Sequence, residues 1–263
     1  MVAACVVGMP CGKPLYVFSV PFWTSSDGVV LLMPIEKSGS RVFELEFGDQ
    51  FAEHVEAFDP DFFKLLVRFN PLGDESLRRT QIDRLAMVSQ WAERTNRRWI
   101  IELLVPPTPA QLAAHGDQAG FDAQERPGLT AQVIAELYAG AVYPTIWKLE
   151  GYETQAGADV VLAAVAAESD HPAVCIVLGR DAPLSRVEHW LSVGARCDFV
   201  GFAVGPTIWE ESLRRHLAGT LSGEGLVDAV AVAVAVAENY STLVDAFIGA
   251  SERLRPPGRS SSE

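Results

Sequence analysis

Cysteine and histidine chemistry is sparse in this sequence. The four cysteines, Cys5, Cys11, Cys175 and Cys197, form no CxxC pair, and the five histidines are scattered without HExxH or HxH spacing. That excludes the usual structural zinc motifs and makes a reduced, cytoplasmic chain the simplest reading. Basic clusters are missing too. With 21 Lys and Arg against 34 Asp and Glu, the formal charge of −13 would repel nucleic-acid phosphates and anionic lipid. No nucleic acid and no membrane is expected as a partner. The alternating run "AVAVAVAVA" at residues 229–237 is far too short to span a bilayer. The opening "MVAACVVGMP" lacks the basic segment and the length of a signal peptide. No GxGxxG or GxxxxGK[ST] follows any predicted strand, which weakens nucleotide-binding Rossmann and P-loop readings, and no cofactor is expected.

What the chain does have is apolar material in short, regular blocks. Its 263 residues, 49% of them hydrophobic, suffice for one large core. Seven predicted strands cover residues 15–20, 29–36, 62–70, 98–106, 145–151, 173–179 and 198–205, with segments of helical period between most of them, among them 47–58, "RPGLTAQVIAELYAG" and "LSRVEHWLSVGA". Apolar strands alternating with helices predict an α/β fold with a parallel sheet. Their spacing, and a chain that closes on a helix, favour a TIM-type (β/α) barrel one strand short of eight. Residues 223–254 are expected to form one long helix despite the valine alternation inside it, because both flanks keep helical spacing. The expected division is a divergent N-terminal segment over 1–28 with the first strand, a barrel over 29–254, and a disordered Pro/Ser-rich tail over 255–263.

Side chains alternate between the two faces of a strand, so every charged residue can be given a side. In "TIWKLEG", Ile146, Lys148 and Glu150 share a face. In "FFKLLVRFN", Lys64, Leu66 and Arg68 share one, and Glu102 falls with Ile100 and Leu104. Glu36 ends the "MPIE" strand and Arg180 follows "CIVLG". Five consecutive strands thus carry an ionisable group in their interior or at the carboxyl end, where α/β barrels build active sites. A lysine within a strand needs a partner to offset its desolvation, and Glu102 and Glu150 are the candidates. Such a set can be a structural ion-pair network. It can also hold an amine nucleophile whose pKa is lowered by a second lysine, with a carboxylate for proton transfer.

The stretches "MPIEKSG", "FELEFGDQFAEH", "DPDFFKLLVRFNP", "IIELLVPP", "QLAAHGDQAGFD", "RPGL", "WKLEG", "CIVLGR" and "GFAVG" occur in order over roughly the last four fifths of the chain. Together they resemble the aldolase-like C-terminal domain, of DUF2090 type, of bacterial 5-dehydro-2-deoxygluconokinase fusion proteins of inositol catabolism. That domain is itself similar to class I tagatose-bisphosphate and sulfofructose-phosphate aldolases. The resemblance implies a (β/α)8 barrel and a class I retro-aldol reaction on a phosphorylated keto sugar or keto sugar acid. By motif, Lys148 matches the Schiff-base lysine, Lys64 the second active-site lysine and Glu102 the acid/base carboxylate. Gly179, Arg180 and Gly205 match the region that holds substrate phosphate.

The chain departs from this family twice. Pro206 of "VGPTIW" stands where the family carries an arginine, and Val20, Pro21 and Phe22 stand where it has an acidic turn. One βα unit near the N-terminus is therefore expected to be missing or rearranged. An exposed sheet edge there would favour dimerisation, so a homo-oligomer is expected. A non-catalytic barrel paralogue acting as a binding or regulatory partner is the alternative reading.

Overall fold

The chain was analysed as a computed structural model that describes residues 4–8, 15–18, 31–40, 42–180, 182–218 and 226–252. Cys11, the turn at Val20 to Phe22 and the tail at 255–263 lie outside them. Six strands, β3 (Leu32–Pro34), β4 (Phe62–Arg68), β5 (Trp99–Leu104), β6 (Ile146–Glu150), β7 (Val174–Leu178) and β8 (Gly201–Val204), pair in sequence order and in parallel. Helices α1 (Phe51–Phe58), α2 (Glu75–Arg94), α3 (Pro109–His115), α4 (Gln118–Gln124), α5 (Arg126–Ala139), α6 (Gln155–Ala166), α7 (Leu184–Ala195), α8 (Pro206–Leu217) and α9 (Leu226–Glu252) supply the crossovers and the closing helix. This is a curled (β/α) barrel of TIM type with a unit missing.

The gap is handled by an element that strand spacing does not reveal. A strand at Ala4–Gly8, β1, pairs antiparallel with both β8 and β2 (Leu15–Phe18). The sheet order is β2-β1-β8-β7-β6-β5-β4-β3. The expected first barrel strand is therefore corrected: residues 15–18 form the outer strand of an antiparallel pair on β8, not a parallel neighbour of β3.

Local sequence explains why the elements begin and end where they do. Asp74 accepts a hydrogen bond from the Leu77 amide at 3.0 Å and starts α2, which ends with Arg94 in its last turn. Thr108 and Gln111 form a capping box around Pro109 at the start of α3. Thr154 caps α6 through the Gly157 amide at 3.1 Å. The valine alternation within α9 is helical, as its flanks require.

Two apolar clusters lie on opposite faces of the sheet. The larger packs Phe63, Leu65, Ile101, Trp147 and Val177 against the helices, including Leu85, Val133 and Trp190. Each fully buried aliphatic or aromatic side chain there contributes about 1.5–3 kcal/mol. The smaller takes one side chain from each parallel strand, Leu32, Phe62, Ile100, Ile146, Ile176 and Ala203, and fills the inside of the curl. It is the floor on which the charged residues stand.

Candidate active site

Period-two alternation carries the inner face upward from this floor. Two residues beyond Phe62, Ile100 and Ile146 on the same face come Lys64, Glu102 and Lys148. Four beyond Leu32, Ile146 and Ile176 come Glu36, Glu150 and Arg180. The sheet register then aligns them sideways, because Leu66 is the partner of Glu102 and Glu102 the partner of Lys148.

Glu102 sits between the two lysines. Its Oε2 accepts from Lys148 Nζ at 3.1 Å and from Lys64 Nζ at 3.2 Å, and Lys64 Nζ donates to Glu36 Oε1 at 2.6 Å. Lys148 is 8% exposed and Glu102 8%, so these charges meet with little water between them. Burial works to raise the Glu102 carboxyl, but the ammonium groups of Lys148 and Lys64 hold it down at about 2. Burial works to lower the Lys64 ammonium. Glu102 and Glu36 outweigh both that and the repulsion from Lys148, so Lys64 stays above the ordinary lysine value.

Glu150 does not serve the lysines as expected. Its Oε1 accepts from Arg180 at 2.7 Å, and its Oε2 accepts from the Val105 amide at 2.9 Å. Arg180 also donates to Asp122 Oδ2 at 2.7 Å, and Arg126 Nε donates to Asp122 Oδ1 at 3.0 Å. Arg126 is fully buried, lies over the Tyr152 ring and donates to the Gly151 carbonyl at 2.6 Å. Asp122 and Arg126 are the site-flanking residues that strand reasoning missed. They come from the helical stretches after β5, where no face can be assigned by alternation. An aspartate and an arginine four apart ahead of the helix-starting Pro127 was the available signal.

A second network braces the mouth of the curl. Asn70 donates to the Pro106 carbonyl at 2.8 Å and to Gln111 Oε1 at 2.7 Å, and Gln111 in turn donates to Glu125 at 2.7 Å. Arg68, at the end of β4, is exposed and lines a cleft of about 790 Å³ with Gly39, Ser40, Asn70 and Arg78. Gly179 has no room for a larger residue, since a Cβ there would come 2.7 Å from Val204 Cγ1. Gly205 precedes α8, which opens with Pro206. Cys175 is buried core, and burial pushes its thiol up to about 12. Among the described residues, no group of three His, Cys, Asp or Glu side chains is placed to hold a metal ion. No helix among them is long and apolar enough to cross a membrane.

Residues 23–250 match the family model described as an uncharacterized protein conserved in bacteria, DUF2090. The chain belongs to the DUF2090 family. Among solved structures, this DUF2090 chain is similar to an archaeal fructose-1,6-bisphosphate aldolase with its catalytic Lys covalently bound to the carbinolamine intermediate of the substrate. The identity is 12%, the TM-score 0.51, and the match covers 82% of this chain and 73% of that one. It is also similar to a structural-genomics protein from Corynebacterium glutamicum, at 17% identity and TM-score 0.54, over 82% of this chain and 64% of that one. At these identities the likeness is one of fold, and the fold of this DUF2090 chain is aldolase-like. The search of curated proteins finds no match.

Proposed function

We propose that the chain is a class I aldolase that cleaves a phosphorylated keto sugar or keto sugar acid, with Lys148 as the Schiff-base nucleophile. The observation that carries this reading is one carboxylate, Glu102, within hydrogen-bond reach of the buried Lys148 and the half-buried Lys64 inside an aldolase-like barrel. Two ammonium groups that repel each other favour loss of a proton from one, and Lys64, held by both Glu36 and Glu102, is the one that keeps its charge. The motif resemblance assigns Lys148 as the amine. Its lone pair attacks the ketone carbon to give a carbinolamine, and loss of water gives the iminium ion. The scissile carbon–carbon bond then breaks as its electron pair moves toward the iminium nitrogen to form the enamine. A base takes the proton of the hydroxyl that becomes the aldehyde.

Glu102 is the shuttle for these protons. At about 2 the resting carboxyl is too acidic to hold a proton. Once Lys148 has become a neutral amine, one of the two charges that depress it is gone and the carboxylate becomes a stronger base. The resemblance to the aldolase domain of kinase fusion proteins, related to tagatose-bisphosphate aldolases, suggests a substrate from inositol or related carbohydrate catabolism.

Full charge compensation in the resting cluster, together with Pro206, favours a second reading, a barrel paralogue that keeps these ion pairs for stability. Borohydride reduction with dihydroxyacetone phosphate, followed by peptide mass spectrometry, separates the two. The aldolase reading expects an adduct on Lys148. Absence of one, under conditions that label an archaeal fructose-1,6-bisphosphate aldolase, sinks it.

A further inference from the structure

We propose that the anionic end of the substrate lies against Arg68, between the turn after β3 and the end of β4, and not at the ends of β7 and β8; this placement rests on the aldolase reading. A hollow of about 150 Å³ is lined by Glu36, Lys37, Ser38, Gly39, Ser40 and Arg68. It shares Gly39, Ser40 and Arg68 with the cleft of about 790 Å³ that continues to Asn70 and Arg78. One end of this path is the reaction centre itself, because Glu36 Oε1 holds Lys64 at 2.6 Å. Glu36 Oε2 is buried and has no hydrogen-bond partner among the described residues, which leaves an acceptor for a ligand hydroxyl. The other end holds Arg68, beside Arg78 paired to Glu136 and Asp74 occupied in capping α2.

Charge balance places the anion. Around Lys148, two lysines face two carboxylates and cancel. Around Arg180, Asp122 and Glu150 face Arg126 and Arg180 and also cancel, so no surplus charge is left there for a phosphate. The hollow of about 450 Å³ beside Pro206 is lined by Glu210 and Glu211, with a single arginine, Arg214, bonded to them at 2.8 and 2.5 Å, an acidic balance that repels a dianion. Lys37 is matched by Glu44 at 3.6 Å. Arg68 makes no hydrogen bond or ion pair among the described residues, and it is the unmatched cation on the path from the lysines. Its planar guanidinium suits bidentate recognition of phosphate or carboxylate.

The reach is right for a sugar chain. Arg68 pairs with Leu104, two residues beyond Glu102, which pairs with Lys148 one strand further on. Strand rise and strand spacing put the Arg68 and Lys148 backbones about 12 Å apart. Two long side chains pointing inward leave room between their heads for the carbon chain of a keto sugar. The anion placed here is the one far from the reacting carbonyl.

The test follows borohydride trapping on Lys148 against concentration for fructose 6-phosphate and for fructose, in the natural chain and in Arg68→Gln. The expected result is at least a tenfold loss of the preference for the phosphorylated sugar in Arg68→Gln, with the Lys148 adduct still formed at saturation. An unchanged preference overturns the placement, and so does a larger loss in Arg180→Gln than in Arg68→Gln. If neither sugar is trapped by the natural chain, the aldolase reading fails separately, and titration with inorganic phosphate decides about Arg68. At least tenfold weaker phosphate binding in Arg68→Gln keeps the anion site, whereas equal binding removes it.

Discussion

Replacing Glu102 by glutamine removes the group on which both lysines converge while keeping its size. A carboxyl held at about 2 instead of 4.5 contributes about 3 kcal/mol of stability at neutral pH. Because the folded value is depressed, this contribution is present above pH 4.5 and is lost as pH falls toward 2. By pH 3 less than half of it remains. Glu102→Gln is therefore expected to be destabilised by about 3 kcal/mol at pH 7, and the difference from the natural chain should shrink as the solution is acidified. Urea unfolding read by tryptophan fluorescence suits the measurement, since Trp99, Trp147 and Trp190 are fully buried reporters. A difference equal at pH 7 and pH 3, or smaller than about 1 kcal/mol at pH 7, would refute the assignment of Glu102 as the shared counter-charge. On the proposed aldolase reading, in which Glu102 moves the protons, the same variant should form the Lys148 adduct far more slowly.

Other parts of the structure make separate predictions. Arg126→Met takes one of the two arginines from the buried Asp122, leaving it Arg180 and the Gln118 amide, and removes the donor to the Gly151 carbonyl, so unfolding in urea should show a loss of about 3 kcal/mol. Gly179→Ala pushes a methyl into Val204 and should cost about 1–3 kcal/mol, and pairing it with Val204→Ala should give less than the sum of the two single losses. Cys175, its thiol pushed up to about 12 by burial, should resist iodoacetamide at pH 8 in the folded protein and react at once in urea.

The charged ladder was legible because strand periodicity is rigid. Once residues 62–70, 98–106 and 145–151 are read as strands, Lys64, Glu102 and Lys148 can point only to one face, and parallel pairing brings them side by side. The partner of each charge was less legible. Glu150 follows Lys148 on the same face, so spacing alone makes the pair plausible, yet strand rise separates them by about 7 Å along the chain. That distance lets Arg180 reach Glu150 from the loop after β7. Asp122 and Arg126, marked only by their spacing of four ahead of Pro127, were hard to place for a related reason. Asp122 lies in the short α4 and Arg126 opens α5, and the orientation of this junction is set by packing, here through Glu125 bonded to Gln111 and His115, and not by any local period.

The N-terminal departure has a structural logic that also bears on function. Removing a βα unit from a parallel barrel leaves β8 without its next neighbour, and an unpaired edge invites pairing. Spacing rules for βαβ units foresee only parallel partners, so an antiparallel strand at Ala4–Gly8 could not be read from them. The antiparallel pair covers β8 and moves the open end of the sheet to β2. The other end is β3, and the strands that carry Glu36, Lys64, Glu102 and Lys148 run consecutively inward from it. The rearrangement therefore lies outside the ladder that connects Leu66, Glu102 and Lys148. What it alters is the wall beyond β8, on the same side as Pro206 and the acidic pair Glu210 and Glu211. A barrel rebuilt there keeps its lysines in register, while its rim by β8 carries Pro206 and an acidic pair that repels an anion. On the proposed aldolase reading the substrate anion then falls to a cation elsewhere on the rim, and Arg68 at the end of β4 is placed to take it.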